Sequence, residues 1–171
     1  MIGLDNPEWQ RLEDAYGSAE GIPNLLQQLF ADLTDKKAWN NLWSSLCHQN
    51  TIYSASVAVA PHLVSMATNL ALNDRLGPLI LVGSIAACIG QPPNYVQADS
   101  EFRQCCSKAL HLLLELVEHG NLTDRNLRYS LSSVAALLGD SKLANVIASL
   151  DCYIECPKCG NEIEPLETKF I

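Results

Sequence analysis

Apolar residues recur along this chain at spacings of three and four, and short polar or Gly/Pro signals interrupt them, a pattern that predicts helix after helix. Asn6-Pro7 reads as an N-cap followed by proline at the first helical position, with Trp9, Leu12 and Tyr16 on one face. Gly21-Ile22-Pro23 opens a second short helix carrying Leu25, Leu26, Leu29 and Phe30. Asp35 opens a third, with Trp39, Leu42, Trp43 and Leu46 at i, i+3, i+4 and i+7, and it stops near His48-Gln49-Asn50. Thr51 begins the next, with Tyr53, Val57, Ala60, Val64 and Ala67 on one face, and Pro61 is expected to kink or divide it. Asn73 starts an apolar helix from Leu76 to Gly90, and 91–98 (QPPNYVQA) reads as a loop. Asp99 or Ser100 caps a long helix to Gly120. Thr123 caps another, with Leu127, Leu131, Val134, Ala135 and Leu138 as its apolar face, ended by Gly139. Ser141 to Leu150 is a last short helix. The period then changes: Tyr153-Ile154-Glu155 and Glu162-Ile163-Glu164, around a turn at Pro157 to Gly160, read as a β-hairpin.

Helices joined by short turns suggest an all-α fold of stacked antiparallel helix pairs, either a HEAT/armadillo-like α-solenoid or a bundle. An internal echo favours stacking. YSASVAVA (Tyr53 to Ala60) resembles YSLSSVAA (Tyr129 to Ala136) at an offset of 76, and GSIAACIG (Gly83 to Gly90) is a fainter third copy. Ala and Ser at these positions let neighbouring helices approach closely. The expected organisation is a helical-repeat domain over 1–150 and a small hairpin appendage over 151–171.

Charge sharpens the picture. The net charge is −8, with Lys+Arg 11 against Asp+Glu 19. Such a chain would repel a phosphate backbone and an anionic membrane, so neither nucleic acid nor membrane is an expected partner, whereas a basic protein suits it. The most apolar run, Leu76 to Gly90, is too short to span a bilayer. The acidic N-terminus lacks the pattern of a signal peptide. Seven cysteines, an odd count, suit a reduced, cytoplasmic protein with buried thiols. From Ala38 to Ala98 the only charged side chains are Asp74 and Arg75. Two explanations compete. These helices are enclosed by the charged ends, or their uncharged surface, with aromatics beside it, is a binding face.

The chemistry-bearing residues are sparse. Cys47 and His48 are adjacent, so on a helix their side chains diverge by about 100° and make a poor nucleophile–base pair. His48 at a helix end suits the dipole, with Tyr53 across the turn as its expected neighbour. His111, Glu115 and His119 form a stripe that reads as a solvated face. The chain has no Gly-rich phosphate loop, no GxSxG and no HExxH. The strongest local motif is Cys156-Pro157-Lys158-Cys159-Gly160, the knuckle of zinc ribbons. Cys152 would lie about 13 Å from Cys156 along an extended strand, too far to share an ion. No second CxxC and no His follows, so Cys156 and Cys159 make half a tetrahedral site. No cofactor, zinc included, is therefore expected within one chain.

The stretch Ala38 to Ala67, AWNNLWSSLCHQNTIYSASVAVAPHLVSMA, resembles a pattern in bacterial HEAT-like helical proteins. There a W-x2-L-W segment precedes an LxHQxTxYxAS turn and an AxxPxLV helix, and some members carry a C-terminal CPxCG. Trp39, Leu42, Trp43, His48, Gln49, Thr51, Tyr53, Ala55, Ser56, Pro61, Leu63 and Val64 carry the resemblance here. It implies an α-solenoid with a binding role, and some acidic proteins of this kind look like immunity proteins paired with secreted toxins. The expectation is a non-enzymatic protein-binding module, in its most concrete form a toxin-neutralising immunity protein. Trp39, Trp43, His48, Gln49, Tyr53 and His62 would meet a more basic toxin domain. The alternatives are a scaffold that self-associates as a homodimer, and a small enzyme using His48.

Overall fold

The computed structural model describes residues 1–48, 51–88 and 100–150, together with the backbone of 154–155 and 162–163. Within them the chain is mostly helical. The helices are α1 (Ile22–Ala31), α2 (Lys36–Leu46), α3 (Ser54–Thr68), α4 (Leu76–Cys88), α5 (Ser100–His119), α6 (Asp124–Leu137) and α7 (Ser141–Ser149). Six two-residue strands pair antiparallel with their sequence neighbours: β1 (Glu13–Asp14) with β2 (Gly17–Ser18), β3 (Cys47–His48) with β4 (Thr51–Ile52), and β5 (Ile154–Glu155) with β6 (Glu162–Ile163). The last pair sets Ile154 opposite Ile163, which is the hairpin expected from the change of period.

The capping signals act where the sequence places them. The Asp35 carboxylate accepts from the amides of Lys37 and Ala38 at 2.9 and 3.0 Å. Thr123 accepts from Asn126 N at 3.3 Å and Asp140 from Leu143 N at 2.9 Å. Each satisfies an amide that the first helical turn leaves without a partner. Ser56, fully buried, accepts from Tyr53 N at 2.9 Å and donates to the Leu46 carbonyl at 2.6 Å. One hydroxyl thus ties the end of α2 to the start of α3.

Four local expectations change. Pro7–Arg11 is a single 3-10 turn, capped by Asn6, and the chain then folds into the β1–β2 hairpin instead of continuing as a helix. Trp9 is buried, but Tyr16, at the hairpin tip, is 69% exposed. Gly17, at φ +127°, takes the positive φ that this turn requires. Second, Thr51-Ile52 forms strand β4, so α3 begins only at Ser54. Third, Pro61 does not divide α3, which runs on to Thr68 packed against α4 and α5. Fourth, α6 buries Ala135 and half-buries Val134 of its expected face, but turns serines inward in place of that face's leucines. Ser130, Ser133, Ala135 and Ala136 are buried, while Leu127 and Leu131 are partly exposed and Leu138 is 68% exposed.

The reason for that exchange is the approach of α6 to α4. A Cβ on Gly83 would lie 2.3 Å from Ser133 Cβ and 2.8 Å from its Cα, so only the small-residue face of α6 fits there. Helix α4 also packs against α3, α5 and α7. It is apolar around its whole circumference, as a helix covered on several sides must be. Helix α3 likewise buries residues on all faces, from Ala55 to Ala67. Burial therefore accounts for the missing charges of α3 and α4. Arg75, one of the two charges in the middle of the chain, bonds Glu115 of α5 at 2.7 Å and the Leu70 carbonyl at 3.1 Å. No helix among the described residues is long and apolar enough to cross a membrane.

Candidate functional site: an uncharged groove between four helices

The residues put forward from sequence do not share one surface. His62 belongs to the core. It is 5% exposed, its Nε2 donates to the Ile2 carbonyl at 2.8 Å, and its ring lies 6.0 Å from that of Trp9. An exposed contact role for His62 is thereby corrected: the N-terminal segment folds over it. Trp39 is half-buried, donates through Nε1 to the Leu33 carbonyl at 2.9 Å, and lays its ring on Gly77. Tyr53 is half-buried as the N-cap of α3. His48 stands on β3 with its ring 6.0 Å from Tyr16, so its aromatic neighbour comes from the β1–β2 hairpin and not from Tyr53. That hairpin is seated on the α2–α3 junction by Ala15 N to Ser45 O at 2.9 Å and Glu13 N to Ser54 Oγ at 2.7 Å. Gln49, Cys152, Cys156 and Cys159 lie outside the described residues.

Trp43 has a different setting. It is half-buried and forms one wall of a groove bounded by α2, α4, α6 and α7. The outer part, about 410 Å3, is lined by Trp43, Ile80, Ser84, Tyr129 and Ser132, among others. An inner chamber of about 170 Å3 shares Trp43, Ser84, Ser132 and Ser133 and adds Cys47, Cys88 and Asn145. Among the described residues, no charged side chain lines either part. The two together offer aromatic faces, hydroxyls and one carboxamide. They suit an apolar or aromatic group carrying a few hydrogen-bonding atoms, and the volume is that of a small-ligand or side-chain site.

Sequence reasoning found Trp43 and missed Tyr129, Ser132, Ser133 and Cys88 as its companions. A signal was present. Tyr129 and the two serines stand in the YSLSSVAA copy of the echo, and Cys88 in the GSIAACIG copy. The echo marks where helices approach closely, and a groove flanks that contact.

Two groups carry informative electrostatics. The Cys47 thiol is pushed well up by its hydrogen bond to Cys88 and by burial, so its proton stays on and is directed at Cys88 rather than at His48. His62 is pushed below its ordinary 6.5, first by burial and further by the chain's amino group, against the opposing pulls of the Ile2 carbonyl and Glu101. Folded His62 therefore stays neutral where the unfolded chain takes up a proton. The resulting stability is present above about pH 6.5 and is lost as pH falls from there through the lower folded value. Urea midpoints measured at about pH 7.5 and about pH 5.5 are expected to fall further for the wild type than for His62→Gln, which has nothing to titrate. Equal losses in the two proteins would contradict this.

Among the described residues no group of three or more His, Cys, Asp or Glu side chains is placed to hold a metal ion. On α5, Glu115 pairs with Arg75, and His119 lies 3.7 Å from Glu118. No family model, no curated protein and no solved structure matches this chain.

Proposed function

We propose that this protein is a non-enzymatic protein-binding module, which receives an apolar or aromatic side chain of a basic partner in the Trp43–Tyr129 groove. The observation that carries the reading is that, among the described residues, only uncharged side chains line the groove, in a chain of net charge −8. An uncharged, aromatic-walled pocket with charge kept outside it is the composition of an interface core. The acidic balance would speed encounter with a basic partner. In its most concrete form the module is an immunity protein that neutralises a secreted bacterial toxin by occupying its functional surface. Contacts of α3 with α4 and α5, and of α6 with α4 and α5, support a stack of helix pairs in the HEAT/armadillo manner.

The test is affinity capture from the native host, followed by titration of the partner against groove variants. Tyr129→Ala and Trp43→Ala are expected to weaken binding about 30-fold each, the size of a central anchor contact. Co-expression is expected to relieve the partner's toxicity in the wild type and less so in the variants. Unchanged affinity in both folded variants, or a strongly acidic partner, would contradict the reading.

Self-association is the second reading. It draws on Leu143 and Val146 of α7 and on Leu150, its C-cap, which lie exposed at i, i+3 and i+7, and on Leu138, exposed after α6. Sedimentation of the purified chain separates the two. A stable homodimer broken by Val146→Glu, with groove variants unaffected, would favour the scaffold.

A further inference from the structure

Cys47 and Cys88 stand 41 positions apart in the sequence, yet their side chains share a hydrogen bond. Strand β3 carries the first and the last turn of α4 the second, and these two elements are packed on each other. Both thiols line the inner chamber of the groove, and both are only partly buried, so a small oxidant can reach them. The remaining thiols with described surroundings, Cys105 and Cys106, are neighbours on α5, and burial pushes Cys106 up to about 12.

We propose that Cys47 and Cys88 are a reversible redox pair, closed to a disulfide by a hydroperoxide and reopened by a small thiol. A disulfide needs the two sulfurs at about 2.05 Å and the two backbones already close, and two thiols that line one small chamber on packed elements are placed toward that condition. The roles are unequal. The hydrogen bond from Cys47 holds the Cys88 thiol below its ordinary range, while Cys47 keeps its proton. Cys88 is also the less enclosed of the two, so an oxidant reaches it first and it is the attacking thiol. Its sulfur takes the terminal oxygen of the hydroperoxide. The O–O bond breaks, and the alkoxide leaves with its electron pair and collects the proton that Cys88 gave up. Cys88 is then a sulfenic acid. The Cys47 sulfur attacks the Cys88 sulfur, the S–O bond breaks, and hydroxide leaves as water with the Cys47 proton. Two thiols have lost two electrons, and the hydroperoxide has become an alcohol and water. Reduction is thiol–disulfide exchange with two equivalents of thiol. This inference stands independently of the partner-binding reading.

The test uses the intact wild-type chain, treated with stoichiometric hydrogen peroxide, alkylated, digested without reductant and mapped by mass spectrometry. The expected product is a peptide pair joined through Cys47 and Cys88 that dithiothreitol separates. Cys47→Ser is expected to stop at a Cys88 sulfenic acid, trapped by dimedone. In Cys88→Ser, Cys47 is expected to react about ten-fold more slowly than Cys88 does in the wild type, since its thiolate is scarce. Circular dichroism confirms that both variants fold. Bridges formed only among other cysteines, or oxidation that leaves Cys47 and Cys88 alkylatable, would overturn the proposal.

Discussion

Gly83→Ala is expected to destabilise the protein by about 2 kcal/mol, although alanine is the better helix former. Propensity alone would favour the substitution by about 1 kcal/mol in the middle of α4. The added methyl would lie 2.3 Å from Ser133 Cβ and 2.8 Å from Ser133 Cα. Neither atom is the far end of a flexible side chain, so α4 and α6 must separate. Overpacking of this kind costs roughly 1–3 kcal/mol, and contact with backbone puts this site at or beyond the upper end. The steric term therefore exceeds the propensity term. Urea unfolding followed by far-ultraviolet circular dichroism measures the difference. Ser133→Gly in the Gly83→Ala background is expected to recover part of the loss by removing the nearer atom, a coupling that a double-mutant cycle reads directly. A neutral or stabilising Gly83→Ala would mean that the close approach of α4 and α6 does not exist in solution.

Trp9→Ala is expected to cost about 3–5 kcal/mol, a large share of the roughly 5–15 kcal/mol that holds a domain of this size together. Trp9 is 2% exposed, packs beside His62, and donates from Nε1 to the Gly3 carbonyl at 2.9 Å. It anchors the N-terminal segment across α3. Loss of the ring leaves a cavity and an unpaired carbonyl where the segment crosses. Trp9→Phe keeps most of the apolar volume and is expected to lose only about 1–2 kcal/mol, chiefly through the missing donor. Chemical unfolding gives the magnitudes, and limited proteolysis shows whether residues 1–20 detach before the helices melt. Equal stability of Trp9→Ala and the wild type would remove the segment from the core.

Trp9 was legible as a core residue from spacing, but the helix assigned around it was not formed. Asn6-Pro7 starts a turn as readily as a helix, and the backbone bonds of 13–18 go instead to a hairpin seated on Ser45 and Ser54. The close approach at Gly83 was legible as a class of residue, small side chains at echoing positions, but not as a partner. Nothing local says that Gly83 meets Ser133. On α6 the stronger apolar stripe, Leu127, Leu131 and Leu138, lost to a stripe of serines and alanines. Hydrophobicity ranks faces by transfer energy, whereas α4 admits a face by size.

The same distinction holds for the groove and the thiols. Trp43 stood out from its spacing on α2, and the charge-free middle of the chain was plain from composition. Whether that neutrality meant enclosure or an exposed surface depended on which helices cover which. Enclosure accounts for α3 and α4, and the uncharged remainder lines the space between α2, α4, α6 and α7.

Order along the chain, the capped starts at Asp35, Thr123 and Asp140, the acidic balance and the terminal hairpin follow from local rules, because capping, turn chemistry and periodicity act over a few residues. Only tertiary structure decided that His62 is core, that Tyr129 faces Trp43, and that Cys47 meets Cys88. Each of these joins residues dozens of positions apart, and the volume available between packed helices selects such pairs, a quantity that no short window of sequence contains.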